Sequence, residues 1–146
     1  MEQNLINGSL LDELFGLKKK DYSQYSPLTL AYIGDAVFDL IVRTVVVKRT
    51  NMQAAKLHKK TTGIVNAGTQ CAMIRALDPF LTDEERAVYR RGRNAKPYNT
   101  AKNASRDEYL EATGFEALMG FLYLKGDEKR MMELIVQGLK ETGHDI

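Results

Sequence analysis

Two acidic residues stand out because of where they sit. Asp35 lies in Leu30-Ala-Tyr-Ile-Gly-Asp-Ala-Val37, and Glu116 lies in Phe115-Glu-Ala-Leu-Met-Gly120. Both segments are otherwise apolar. A carboxylate buried without a partner is costly and tends to protonate, so it persists where a cation or hydrogen bonds compensate. A glycine accompanies each acid: Gly34 beside Asp35, and Gly120 one turn beyond Glu116. Inside a helix, glycine costs about 1 kcal/mol relative to alanine. That cost is tolerable where two helices must approach closely. The expectation is therefore a helix crossing that brings Asp35 and Glu116 together. Two adjacent carboxylates repel unless a divalent ion lies between them. Mg²⁺ suits such a site, because it takes oxygen ligands and is commonly held by one or two carboxylates plus phosphate oxygens. A cation held there could polarise a phosphoryl oxygen and activate a water, which is the chemistry of phosphodiester hydrolysis. The same two acids also fit a structural role, each capping a neighbour or pairing with an arginine. Asp39, one turn after Asp35, is expected to pair with Arg43 at i+4 instead.

The elements needed to position these acids read as helices throughout. Ser26-Pro27 is an N-cap followed by proline at the first helical position, opening a long helix to about Arg49. The middle of this helix is apolar nearly all round, as in a buried central helix. Upstream, Asn7 to Lys20 predicts a short helix with Leu10, Leu11, Leu14 and Phe15 on one stripe. Helices are expected from about Met52 to Thr61 and from about Thr62 to Leu77, stopped by Asp78-Pro79. Thr82–Glu85 and Ser105–Glu108 have capping-box spacing. The first opens a helix to about Arg91. The second opens one to Lys125, stopped by Gly126. Gly92 to Ala104 reads as a loop, and Asp127 caps a last helix. The expectation is an all-α bundle of about six or seven helices, forming a single domain over residues 1–146.

Charge supplies a partner class. The chain carries 21 basic and 19 acidic residues, for a net charge of +2. These are not evenly spread. Residues 40–106 hold 14 of the basic residues and only four acids, Asp78, Asp83, Glu84 and Glu85. A basic middle between acidic ends suggests a polyanion partner, although a solvated basic face would look the same. Lysine and arginine suit a polyanion, and the preferred contacts are Arg91, Arg93 and Lys96; if the polyanion is an RNA duplex, which is recognised through shape, phosphates and 2′-hydroxyls, Asn94 is placed to reach a ribose. Lys59 and Lys60 are the second choice. One cysteine excludes an internal disulfide framework and a CxxC zinc site, and two histidines exclude a His-rich metal site. No signal peptide or membrane span is expected, which makes a cytoplasmic location the simplest one.

The segment Leu30–Val37 resembles the ribonuclease III signature, E-x-L-E-F-L-G-D-A-V. Leu57-His-Lys-Lys60 with Ile64-Val-Asn66 is similar to the helix pair that follows it. Phe115–Gly120 with Tyr123-Leu124 is similar to the second acidic motif, D-x-x-E-A-L-I-G. The departures are specific. Leu28 and Ala31 stand where the family signature has acids, as does Thr113 in the second motif, so only Asp35 and Glu116 remain of the acidic set. With Arg91-Gly-Arg-Asn-Ala-Lys96, and an end where the family's double-stranded RNA-binding domain would begin, the chain most resembles the compact bacterial branch of that family, the Mini-ribonuclease III enzymes. The resemblance implies a ribonuclease III endonuclease-domain fold and Mg²⁺-dependent cleavage of double-stranded RNA. It implies a role in maturing the 23S ribosomal RNA precursor, with a ribosomal protein as a candidate further partner. It also implies a symmetric homodimer, with Tyr32 at the aromatic position that inserts into the partner subunit. The alternatives are a non-catalytic double-stranded RNA-binding module that kept the fold, and a helical interaction protein whose acids are structural.

Overall fold

The computed structural model describes residues 5–95 and 105–146. Seven α-helices occur among them: α1 (Gly8–Phe15), α2 (Pro27–Arg49), α3 (Ala54–Thr62), α4 (Ala67–Leu77), α5 (Asp83–Asn94), α6 (Arg106–Lys125) and α7 (Glu128–Glu141). Short 3₁₀ turns at Tyr22–Gln24 and Asp78–Phe80 complete the order, and no strand is present among the described residues. The all-helical expectation holds.

Local chemistry sets most of the boundaries. Ser26 accepts the Thr29 N–H and Pro27 occupies the first turn, so α2 begins where the sequence indicates. The β-branched run Val45-Val46-Val47 stays helical, because Val46 is buried in the core. Thr82 and Glu85 form the full reciprocal capping box of α5. Ser105 accepts the Glu108 N–H at the start of α6, and Gly126, with φ of 85°, ends that helix in the left-handed region.

Three boundaries differ from expectation. Helix α1 stops at Phe15, because Gly16 takes a left-handed conformation (φ 62°) and its N–H returns to the last turn. Helix α4 begins at Ala67 rather than Thr62, since the Asn66 side chain caps it by accepting the Thr69 N–H. Helix α5 runs on through Gly92 to Asn94, so Arg93 and Asn94 lie on a helix and not in a loop. Gly92 is tolerated there because a close contact with α6 requires it: a Cβ would fall 2.7 Å from the Ala117 Cβ and 3.0 Å from the Gly114 Cα. A fourth difference concerns packing. The stripe of Leu10, Leu11, Leu14 and Phe15 is exposed, and no residue of α1 is buried.

Helices α2 and α6 form the centre, with α4 and α5 packed on α6, α3 on α2, and α7 against α4 and α6. Phe38 of α2 meets Phe115 of α6 edge to face, with centroids 5.0 Å apart, and both rings are fully buried. Such a pair contributes about 0.5–1.5 kcal/mol beyond its area burial. It also ties together the two turns that carry the acids. The core side of α2 is formed by Leu30, Gly34, Val37, Phe38, Ile41 and Val42. Its opposite face is not covered, which corrects the expectation of a helix buried all round.

Candidate active site

The glycines decide the approach of α2 and α6. A Cβ on Gly34 would stand 1.8 Å from the Glu116 carbonyl oxygen and 2.7 Å from the Gly120 nitrogen. A Cβ on Gly120 would stand 1.9 Å from the Leu30 carbonyl oxygen. The backbones therefore touch directly, and the residues flanking the contact are brought together. Asp35 follows Gly34, and Glu116 is the residue whose carbonyl Gly34 meets. Their carboxyls lie within hydrogen-bonding reach of each other. The crossing expected from sequence is present, with both acids at it.

The two acids differ in surroundings. Asp35 is exposed, whereas Glu116 is largely sunk between helices. Burial pushes the Glu116 carboxyl up to about 9, with the hydrogen bond to Asp35 and its nearby charge adding to the shift, while the Gln70 side chain pulls the other way. Close carboxylates repel, so burial and the neighbouring Asp35 both disfavour the ionised form of Glu116. The pair opens toward solvent on the Asp35 side.

At two of the three positions where the signature loses acids, the replacement is buried in the fold, while Leu28 is exposed. Ala31 is buried in the core. Thr113 is buried and returns its hydroxyl to the Tyr109 carbonyl at 2.9 Å. Among the described residues no group of three or more His, Cys, Asp or Glu is arranged to hold a metal ion. A two-carboxylate set of hard oxygen donors fits an ion that keeps much of its hydration and completes its shell from phosphate, as Mg²⁺ does. Asp39 pairs with Arg43 at 2.9 Å, as its spacing predicts. His58 is exposed.

The expected RNA contacts divide. Lys59 and Lys60 are exposed on the last turn of α3 and line a groove with Arg49. Arg91 and Asn94 are exposed on α5. Lys96 falls outside the described residues. Arg93 is only partly free: it lies over the Tyr89 ring, 5.4 Å from its centroid, and pairs with Glu111 at 3.8 Å. Tyr89 donates its hydroxyl to Glu111. Burial and Glu111 together push the Tyr89 hydroxyl up to about 12. Arg93, expected as an RNA contact, is therefore partly committed to the packing of α5 on α6.

Two features escaped sequence reasoning. Glu85, buried in the capping box, also receives Arg130 in a two-pronged ion pair at 2.8 and 2.9 Å, and Arg130 reaches the Phe80 carbonyl as well. Gln70 is buried at the α4–α6 contact beside Glu116. Its only signal was an amide standing among apolar residues in α4.

Comparison with known proteins agrees with this geometry. Residues 28–127 match the ribonuclease III domain family. The chain is 45% identical over 118 residues to the Mini-ribonuclease 3 of Clostridium tetani, covering 80% of this chain and 78% of that one. It is 42% identical over 144 residues to the Mini-ribonuclease 3 of a Thermoanaerobacter species, covering 97% of this chain and all of the relative. A crystal structure of a Fusobacterium nucleatum protein superposes with a TM-score of 0.75 at 30% identity, covering 84% of this chain and 98% of that one. The chain belongs to the ribonuclease III family and is an endoribonuclease of double-stranded RNA.

Proposed function

We propose that this endoribonuclease cuts double-stranded RNA at Asp35 and Glu116, that the pair holds Mg²⁺, and that the substrate is the 23S ribosomal RNA precursor. The observation that carries the reading is the carboxylate pair at the glycine-lined crossing of α2 and α6, half open to solvent. When bound, Mg²⁺ supplies charge stabilisation at a phosphoryl oxygen and lowers the pKa of the attacking water. The chain's own part is to present two fixed carboxylates. Glu116 is the rigid anchor, immobilised by its packing. Asp35 is the outward ligand, facing the backbone of an RNA duplex. A carboxylate ligand must be ionised, so a cation held here would favour the ionised form of Glu116. A cytoplasmic location follows from this substrate. Among the described residues no helix is long and apolar enough to cross a membrane.

Asp35→Asn and Glu116→Gln keep shape and remove charge. Each is expected to lower kcat on duplex RNA by about a hundredfold or more, since the site loses a ligand. Duplex binding is expected to persist, because the basic surface is untouched. Near wild-type cleavage by either variant refutes the site. Cleavage absent from the wild-type protein itself, with binding intact, would favour the non-catalytic RNA-binding module.

The working unit in this proposal is a homodimer. Leu28, Tyr32, Ala36 and Leu40 recur every four residues along the uncovered face of α2, and Tyr32 is 82% exposed. A tyrosine left this open on the central helix is not a core aromatic, and an apolar stripe beside the active site suits a partner subunit. Two sites, one per subunit, would then cut one strand each. Tyr32→Asp is expected to shift light scattering from dimer toward the 16.5 kDa monomer. A wild-type protein that is monomeric at micromolar concentration and still cuts both strands rules this assembly out.

A further inference from the structure

Gln70 is 4% exposed, in the face of α4 that packs on α6. Its Nε2 makes no hydrogen bond, the one buried side-chain nitrogen or oxygen so placed among the described residues. Buried polar atoms are nearly always satisfied, and an orphan asks for an explanation. Packing alone gives none. The residues around Gln70 in the core side of α4 are Thr69, Cys71, Met73 and Ile74, and leucine or methionine would fill the same space without a stranded donor.

The amide lies against Glu116 without closing a bond of good geometry. A carboxylate has two oxygens able to accept hydrogen bonds, and a buried amide donor beside it can fix which of the two is turned outward. We infer that Gln70 is a positioning residue of the metal site: its Nε2–H donates to one Glu116 oxygen and leaves the other turned toward Asp35 and the cation. This rests on the reading of Asp35 and Glu116 as the Mg²⁺ site. Outer partners of this kind fix the orientation of metal ligands, and losing one typically weakens metal affinity 10- to 100-fold, roughly.

The test uses Gln70→Leu and Gln70→Met in the full chain, with melting followed in EDTA and across a Mg²⁺ titration, and duplex cleavage measured over the same range. Metal-free variants are expected to melt at or above the wild-type temperature, since a stranded donor has gone. The Mg²⁺ concentration at half-maximal stabilisation and at half-maximal cleavage is expected to rise by about tenfold or more. Duplex binding without metal is expected to be unchanged. A purely structural Gln70 would give the opposite pattern, with a lower metal-free melting temperature and an unmoved Mg²⁺ midpoint, and either result overturns the inference. A wild-type protein that shows neither Mg²⁺-dependent stabilisation nor Mg²⁺-dependent cleavage overturns the metal-site reading itself. Wild-type dependence that both variants share overturns only the role of Gln70.

Discussion

Replacing Gly34 with alanine places a methyl carbon 1.8 Å from the Glu116 carbonyl oxygen and 2.7 Å from the Gly120 nitrogen. Both obstacles are backbone atoms of a buried helix, so no side chain can rotate away. Helices α2 and α6 must part by about 1 Å or more, a strain of the kind that costs about 1–3 kcal/mol in a packed core. The better helix propensity of alanine returns about 1 kcal/mol of this. A net loss of about 0–2 kcal/mol corresponds to a fall in Tm of at most about 8 °C in a domain this size. Activity has more to lose than stability. The shift acts on the residue before Asp35 and on the backbone of Glu116, so it opens the carboxylate pair directly. Misplacing reacting groups by about 1 Å can cost a hundredfold in rate. Gly34→Ala is therefore expected to remain folded and lose about a hundredfold in kcat, and Gly120→Ala, with its 1.9 Å clash on the Leu30 carbonyl, to behave alike. Gly63→Ala is the control, because its added methyl would sit 3.4 Å from its nearest neighbour. Calorimetry gives Tm, and steady-state cleavage of a labelled duplex gives kcat. A Gly34→Ala protein with wild-type Tm and kcat would refute the argument that the glycine contact sets the carboxylate geometry.

Two further expectations follow from charged groups the fold has committed. Burial works to raise the Glu85 carboxyl, but Arg130 and the capping-box bonds outweigh it and hold the group below its ordinary value of 4.5. A lowered folded-state pKa contributes stability above the unfolded value and loses it as pH falls through the folded one. Glu85→Gln is thus expected to cost about 2–3 kcal/mol at pH 7, less than a fully buried pair because Arg130 keeps some solvent. The gap in Tm between variant and wild type should close as pH drops below 4.5, and an equal gap at pH 7 and pH 3 contradicts the assignment. On the basic surface, Arg91→Ala should weaken duplex binding at unchanged Tm, and should lower the slope of log affinity against log salt by about one unit or less. Arg93→Ala should also lower Tm, by about 2–4 °C, because it strips Glu111 and the Tyr89 ring of their cation. Anisotropy titrations at several salt concentrations check both, and an unchanged slope for Arg91→Ala removes it from the RNA surface.

What the sequence determined by itself was local in origin. The starts of α2, α5 and α6 depend on a serine or threonine and the residues within one turn of it, and the Asp39–Arg43 pair depends on a four-residue spacing. Asp35 and Glu116 were legible because a charge in an apolar helix is expensive, and Gly34 and Gly120 because glycine in a helix needs a reason. Those four residues together implied the crossing. Other features depended on partners far along the chain, and no periodicity carries such pairings. Glu85 meets Arg130 forty-five residues away. Arg93 turns from a free RNA contact into part of the Tyr89–Glu111 cluster only because α5 packs on α6. The apolar stripe of α1 reads like a core face, yet it finds nothing to cover it among the described residues. The outer face of α2 reads as core for the same reason, and only the packing of its neighbours shows that Tyr32 points to solvent. Hydrophobic pattern says which surfaces benefit from burial. The number and placement of neighbouring helices decide which of them a single chain can bury.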